Sequence, residues 1–177
     1  MPFIIMEYSH LIRKRRSVRS FRQGNIDEGI LKNIMDDINQ APSAGNLQSY
    51  RVYLVRGREL KKKLAAAAYG QDFLEQASLL MVFCADRKRS ASKYGKRGET
   101  LYSIQDATIA ATYAILSAEN SGLSSVWVGA FDESLVSEIL GLEENLRPVA
   151  IIPIGYPGEN PEFPGRRRIE DIFFQVD

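Results

Sequence analysis

Hydrophobic and polar positions follow two different periods along the chain, and these periods predict its helices and strands. From Glu28 onward apolar residues recur at helical spacing, which indicates a helix with one apolar face over residues 28–38. Asn25 and Glu28 have the spacing of a capping box, so Asn25 is the predicted N-cap. The apolar positions of this helix are Ile30, Leu31, Ile34, Met35 and Ile38.

The same patterns predict four strands and three further helices. The strands are predicted at residues 50–56, 79–85, 124–130 and 149–155. The second strand is apolar throughout, so it is expected to be buried on both faces. The helices are predicted at residues 59–68, 101–121 and 133–140, the last capped by Asp132. Gly122 and Gly141 stand where helices favour glycine after their last turn. This arrangement indicates an α+β or three-layer fold.

The remaining segments are predicted to be irregular. Residues 41–49 are rich in loop-forming residues, and residues 87–98 form a charged segment without an apolar period, so both are predicted loops. Residues 156–177 contain three prolines and little helical pattern, so an extended tail is expected. No repeat or linker divides the 177 residues, which predicts a single domain over residues 1–177.

Composition excludes several classes of protein. There are 23 Lys and Arg against 22 Asp and Glu, so the net charge of +1 does not suit a polycation for nucleic acid. One cysteine allows no disulfide within the chain, and with a single histidine it cannot build a Cys/His zinc site. The longest wholly apolar run, residues 79–85, is far shorter than the roughly 20 residues of a membrane span. Residues 1–6 lack the basic start of a signal peptide, so a cytoplasmic protein without membrane contact is expected.

A basic segment near the start of the chain is the first candidate for chemistry. Residues 13–22 contain six basic side chains and no acidic one, and their repulsion is unfavourable unless an anion or water screens it. Arginine forks suit phosphate oxygens. A solvated basic loop and a nucleic-acid-binding arm are the alternatives, and the balanced net charge and the lack of aromatic residues interleaved with the basic ones argue against the arm.

Three other segments are candidate ligand contacts, each with an ordinary structural alternative. Residues 41–48 could bind a heterocycle or form a simple loop. Gly129 lies where a predicted strand ends and a helix begins. A glycine there could let the backbone approach a ligand closely, or it could simply form a bend. Residues 166–168, three arginines, could hold an anion or lie in water. Since no Gly-x-Gly occurs, a bound phosphate would depend on arginine side chains.

These segments follow one another as a set of motifs. They are R-R-S-V-R-x-F from Arg15, A-P-S-x-x-N-x-Q from Ala41, Gln105-Asp106-Ala107, G-L-x-S-x-W-V-G-A-F from Gly122, P-x-x-x-x-P-x-G-Y-P from Pro148, and a basic tail. In this order they resemble the nitroreductase family of FMN-dependent NAD(P)H oxidoreductases, over about residues 8–172. Two positions depart from the family pattern: Gln48-Ser49-Tyr50 replaces Gln-Pro-Trp, and Arg168 replaces a proline.

The resemblance implies an α+β fold of three α-β-α layers around a central mixed sheet, in an obligate homodimer with FMN at the interface. One subunit would hold the FMN phosphate, ribityl chain and pyrimidine ring with Arg15, Arg16, Ser17 and Arg19. The other subunit would contribute Pro42, Ser43 and Asn46. The backbone N–H groups of Gly129 and Ala130 would face the flavin N5 atom. Arg166 in the tail would be a further contact to the phosphate. Residues 101–121 would offer alanines, and residues 156–177 apolar side chains, for packing on the partner.

The implied activity is hydride transfer from NADH or NADPH through the flavin to a small-molecule acceptor such as a nitroaromatic, a quinone or a flavin, with ping-pong kinetics. Cys84 is expected to be structural, and no side chain need act as acid or base. The alternatives are a specialised family member (a dehalogenase, a flavin-fragmenting enzyme or an azoline oxidase), a flavin-binding protein without turnover, and a small RNA-binding protein.

Overall fold

The structure, a computed structural model, describes residues 7–176, so the expectation about residues 1–6 lies outside the described residues. The strands are β1 (Phe21–Arg22), β2 (Tyr50–Val55), β3 (Leu79–Asp86), β4 (Ser124–Ser125) and β5 (Leu146–Pro157). The helices are α1 (Tyr8–Lys14), α2 (Glu28–Asn39), α3 (Arg58–Ala67), α4 (Phe73–Gln76), α5 (Arg87–Arg97), α6 (Ser103–Asn120) and α7 (Glu133–Leu140). Short helical turns occur at Ala44–Asn46, Gly98–Tyr102 and Ile169–Asp171.

The strands form one sheet in the order β1-β5-β3-β2, with β4 also paired to β5. The strand pairs are antiparallel, and a parallel bridge between Ser17 and Ser125 makes the sheet mixed. The central strand β3 lies between β2 and β5, which explains why its eight residues are all buried.

Helices cover both faces of this sheet. Successive side chains of a strand point to opposite faces, so alternate side chains of β3 enter two different cores. The core shared with α3 and α7 contains Leu80, Val82 and Cys84. The core shared with α2 and α6 contains Leu79, Met81 and Phe83. The predicted three-layer α+β fold and the burial of β3 on both faces are therefore confirmed.

Helix α6 is central, as its alanine content suggests, but its alanines pack within the chain. Five of them are completely buried in the subunit: Ala107, Ala110, Ala111, Ala114 and Ala118. Their small side chains bring α6 close to α2 and to the sheet. The expectation that these alanines contact a second subunit is wrong, because the fold of one chain already covers them.

The start of α2 also differs from the prediction. Asp27, not Asn25, is the N-cap, and its Oδ1 accepts hydrogen bonds from the backbone N–H groups of Gly29 and Ile30 at 2.8 and 3.3 Å. A capping box would require Glu28 to turn back to Asn25. The Glu28 carboxylate instead pairs with Arg56 at 2.7 Å, so the box does not form.

Two further segments differ in structure from the prediction. Residues 87–98, predicted as a loop, contain α5, whose N-terminus is capped by Asp86 accepting from the Arg89 N–H at 3.0 Å. Residues 124–130, predicted as one strand, pair with β5 only at β4 and at the bridge between Val128 and Ile151. The chain leaves the sheet after Val128, which frees the next residues for other contacts.

Among the described residues after β5, 158–176, the one regular element is the turn at Ile169–Asp171. This tail exposes several large apolar side chains: Phe163, Ile169, Ile172, Phe173, Phe174 and Val176. Within residues 7–176, no helix combines the length and apolar character needed to cross a bilayer.

Candidate functional site

Two predicted arginines follow directly after α1. Arg16 closes the end of this helix, because its Nη1 donates to the carbonyls of Arg13, Lys14 and Arg15 at 2.6, 3.1 and 3.0 Å. These bonds satisfy carbonyls that lack partners within the helix. They also fix the direction in which the chain leaves α1 toward Ser17.

The tail brings Arg166 to the same place. The Arg16 and Arg166 guanidinium carbons lie 5.0 and 5.1 Å from the centre of the Phe163 ring, in cation–π contact. The two basic clusters recognised in the sequence therefore converge through an aromatic residue that sequence analysis assigned only to partner packing. A cleft of about 270 Å³ adjoins Arg16.

The convergence is electrostatically unfavourable for Arg15. Burial lowers the pKa of its guanidinium, and the charges of Arg166 and Arg16 lower it further, whereas Glu119 raises it. Burial raises the pKa of the Glu119 carboxyl, and the charges of Lys14, Arg15 and Arg16 oppose this shift. Lys14, Arg15 and Arg16 thus surround one buried carboxylate, and Arg166 adds a further positive charge beside Arg15, an arrangement that an added anion would relieve.

The rest of the basic segment runs along the sheet. The Val18 N–H donates to the Ser125 carbonyl at 3.1 Å, which places Ser17 beside β4. The Arg19 N–H donates to Glu159 Oε1 at 2.5 Å, which ties the segment to the start of the tail. The Arg19 side chain is left exposed.

Gly129 and Ala130 lie in the turn that leads into α7. Gln71 Nε2 donates to the Ala130 carbonyl and to the Ala68 carbonyl, both at 3.0 Å, and so fixes this turn against α3. Among the described residues, neither the Gly129 nor the Ala130 N–H finds an acceptor, and both residues are exposed. Two neighbouring backbone donors are therefore available to a ligand.

The loop that carries Pro42, Ser43 and Asn46 is held by Asp106 from α6. Asp106 is buried, and its Oδ1 and Oδ2 accept from the backbone N–H groups of Ala44 and Ser49 at 2.9 and 3.3 Å. Ser43 Oγ accepts from the Gln48 N–H at 2.9 Å. Asn46 adopts a φ of 56°, which asparagine tolerates better than most residues. The predicted loop is therefore a rigid turn.

The structure does not bring this loop to the arginines of the same chain. Asp106 holds the loop near the start of α6, whereas Glu119 adjoins Arg15 near its end. The two acidic residues are thirteen positions apart on α6, which is roughly 20 Å at about 1.5 Å per residue. One chain thus presents two groups of predicted site residues near opposite ends of its central helix.

A comparison with protein families decides the classification. The nitroreductase family model matches residues 12–71 and 65–156. The chain belongs to the nitroreductase family. This confirms the resemblance on which the site residues were chosen.

Relatives and solved structures agree with this membership. An NADH dehydrogenase of Thermus thermophilus is 32% identical over 82% of this chain and 84% of its own length. An NAD(P)H-type FMN reductase of Bacillus subtilis is 30% identical over 81% of this chain and 64% of its own length. The structure of the NADPH:FMN oxidoreductase of Vibrio harveyi in complex with NAD⁺ matches with a TM-score of 0.88 and 28% identity, covering 96% of this chain and 75% of that one. The nitroreductase fold is therefore shown.

The residues present fit the FMN that the family implies. The guanidinium groups of Arg15, Arg16 and Arg166 are the donors that phosphate oxygens prefer, and the one carboxylate among them leaves positive charge uncompensated. The Gly129 and Ala130 N–H groups add donors without a partner among residues 7–176. The gathered positive charge would be unfavourable without a bound anion, and the two exposed N–H groups are donors that a ligand can take over from water.

Sequence analysis missed several residues that organise the site. Asp106 was noted only as part of a motif, although a buried acid in an alanine-rich helix is itself a signal that it binds backbone donors. Phe163, Glu119 and Glu159 carry no such signal, because their partners lie far away in the sequence. In the described part of the chain, no cluster of three acidic, histidine or cysteine side chains could hold a metal ion.

Proposed function

We propose that this member of the nitroreductase family is an FMN-dependent NAD(P)H oxidoreductase. The convergence of Arg16 and Arg166 on Phe163, with Arg15 near enough to be affected by both charges, carries the proposal, because it gathers guanidinium groups from two distant segments in one place. FMN, when bound, supplies the two-electron chemistry between NAD(P)H and an acceptor. The named functions of relatives, an FMN reductase of Bacillus subtilis and an NADPH-flavin oxidoreductase of Vibrio harveyi, support it.

The proposed roles of the side chains follow from their match to the family motifs and from where they lie in the structure. Arg15, Arg16 and Arg166 bind the phosphate, and Ser17 adds a hydroxyl beside the ribityl chain. Arg19 places its charge at the pyrimidine edge, where it favours the reduced, anionic ring. The N–H groups of Gly129 and Ala130 donate to the ring and orient it, so no side chain need act as an acid or base.

We further propose that the functional unit is a homodimer. The roughly 20 Å along α6 between the loop and the arginines means that one cofactor would need the loop of a second subunit to contact both groups. The exposed apolar tail supports this assembly, since Phe173 and Phe174 are 73% and 78% exposed in one chain. Covering them removes apolar surface from water.

The acceptor in this proposal is a nitroaromatic, a quinone, a flavin or a similar small oxidised molecule. The proposal includes one domain over residues 1–177 with its tail on the partner, and a cytoplasmic location where NAD(P)H is available. An oxygen-insensitive NADPH nitroreductase of Salmonella typhimurium, 26% identical over 85% of this chain, supports acceptors of this class.

The decisive experiment is to identify the cofactor. The purified protein is heated, and the released chromophore is separated by chromatography against FMN and FAD standards. We expect FMN, and we expect NADH or NADPH to bleach the flavin band of the intact protein under anaerobic conditions. FAD, or no flavin after incubation with FMN, contradicts the proposal; bound FMN that neither reductant bleaches indicates a flavin-binding protein without turnover.

A further inference from the structure

A cleft of about 850 Å³ is lined by none of the residues predicted to contact the flavin. Arg56, at the end of β2, and Arg58, at the start of α3, form part of its wall. The loop with Pro42 and Ser43 precedes the other end of β2, and six strand residues span roughly 20 Å. A ligand in this cleft would therefore not touch that loop. Its volume is within the range of small-molecule sites.

Lys61 lines this cleft with a charge that the described residues satisfy only in part. The residue is 8% exposed, and its Nζ donates to the Ala77 carbonyl at 2.6 Å. An ammonium group has three N–H donors, and the Ala77 carbonyl is the one acceptor that residues 7–176 offer it. Burial lowers the pKa of Lys61, although Glu75 partly offsets this, and Arg58 lowers it further.

Arg58 adds a charge to the same wall that forms no ion pair with the described residues. It stands three positions before Lys61 on α3, where side chains are neighbours and like charges repel. Arg56, by contrast, is neutralised by Glu28 at 2.7 Å. Three cationic and two acidic side chains line the cleft, so one positive charge is in excess.

We propose that this cleft is a second binding site, which takes a small organic anion with its phosphate or carboxylate group between Arg58 and Lys61. The arginine fork and the ammonium donors both suit anionic oxygens. The lining also contains uncharged polar groups, which suit a ligand that carries hydroxyl or amide groups; they are Gln23, Asn25, Gln76 and Ser78. No step of the proposed flavin reaction depends on this site.

Calorimetric titration of the purified full chain tests the proposal. Excess FMN is present throughout, so that the arginines of the flavin site are occupied. Inorganic phosphate and acetate are titrated separately as probes. We expect at least one of them to bind with saturation, phosphate alone indicating a phosphate ligand and acetate alone a carboxylate.

The variant Arg58→Gln removes one charge at an exposed position and should weaken binding of that probe at least about tenfold, as expected for a charge-assisted hydrogen bond. Lys62→Gln is the matched control, because it removes the same charge from an exposed position of α3 outside the lining. Lys61→Met should weaken binding as much as Arg58→Gln, and where it does not fold, Arg58→Gln decides.

Three outcomes overturn the proposal. The first is that neither probe binds with saturation. The second is that Arg58→Gln and Lys62→Gln bind the probe equally well. The third is that binding is lost in Arg166→Ala but kept in Arg58→Gln, which places the anion at the flavin site. Because the readout is anion binding and not turnover, failure here leaves the proposed oxidoreductase function unaffected.

Discussion

Arg15 and Arg166 belong to opposite ends of the chain, yet they lie close enough to repel each other. Burial is the largest cause that lowers the pKa of Arg15, and the charge of Arg166 is the next. The pairing of β1 with β5 makes this meeting possible, because it joins the segment after Arg15 to the start of the tail. A fold that holds two such charges together gains stability when an anion binds between them.

The first prediction concerns these two arginines. Arg15→Ala and Arg166→Ala should each raise the dissociation constant for FMN about ten- to a hundredfold, because each removes a charge-assisted contact of about 1.5–3 kcal/mol. The measurement is quenching of flavin fluorescence on titration of the flavin-free protein. Arg168→Ala is the control, since Arg168 pairs with Glu170 at 3.3 Å in the same tail. A larger loss with Arg168→Ala than with Arg166→Ala would show that the tail arginine was assigned wrongly by two positions.

Periodic elements could be predicted from the sequence, because their pattern reflects the burial that stabilises them. The apolar run of β3 and the helical spacing of α2 follow directly from the two cores. Helix α5 has no such pattern, since its sequence contains six cations and only one of its residues, Ser90, is buried. It depends on the Asp86 cap and on packing against the next turn, where a Cβ on Gly98 would lie 2.5 Å from the Ser90 carbonyl oxygen.

The candidate site could also be predicted only in part, because local motifs do not report contacts between residues that are distant in the chain. The motifs predicted which residues would contact the cofactor, since the same local patterns recur in the family. They did not show what holds each residue in place, because Gln71 and Asp106 act across long separations in the chain. The start of α2 shows the same limit: Asp27, not Asn25, caps the helix, and Glu28 pairs with Arg56, which is distant in the sequence.

Asp106 is expected to determine the position of the loop that carries Ser43. Asp106→Ala leaves the Ala44 and Ser49 N–H groups without their acceptor and should lower the free energy of unfolding by about 2–4 kcal/mol, given roughly 1–3 kcal/mol per unsatisfied buried donor. Asp106→Asn retains one carbonyl oxygen and should lose less. Thermal and urea unfolding of both variants measure the effect, with Thr112→Ala, an exposed change on α6, as control. Equal stability of Asp106→Ala and the wild type would exclude this role.

Cys84 is expected to be structural. It is completely buried in β3, and burial raises the pKa of its thiol to about 12. Cys84→Ala should leave the rate of NAD(P)H oxidation nearly unchanged and lower the free energy of unfolding by about 1 kcal/mol. Steady-state kinetics with a quinone acceptor and urea unfolding provide the two measurements. Lost turnover with FMN still bound would mean that the thiol takes part in the reaction.

The pair between Glu133 and Arg147 predicts a defined dependence of stability on pH. Their side chains form two hydrogen bonds at 2.8 and 2.9 Å, and this pairing is the largest cause that lowers the pKa of Glu133 below its ordinary value of 4.5. The unfolded chain therefore binds the proton more tightly, so the contribution is complete above about pH 5.5 and is lost as pH falls through the folded pKa.

Glu133→Gln should accordingly reduce stability by about 0.5 kcal/mol at pH 7, the size expected for an exposed pair. The difference from the wild type should shrink as pH falls below 4.5 and disappear once the pH is below the lowered pKa of Glu133 in the folded protein. Urea unfolding across this range is the measurement, and Glu138→Gln on the same helix is the control. A difference that persists unchanged at low pH would contradict the assignment.

The last prediction concerns the tail and the dimer. Deleting residues 162–177 removes Phe163, Arg166 and the exposed apolar side chains, but keeps Gly158 and Glu159, which bind the backbone of Ser20 and Arg19. The shortened chain should lose both FMN and self-association, because the deletion removes a phosphate contact and the surface proposed to bind the partner.

The double variant Phe173→Ser and Phe174→Ser separates the two effects: it should weaken self-association while leaving Arg166 in place. Light scattering over a range of protein concentrations, read together with flavin absorbance, measures both properties, and the wild-type melting temperature should rise with concentration. A truncated chain that remains a yellow dimer would contradict the role of the tail, and a full-length yellow monomer would contradict a flavin site shared between subunits.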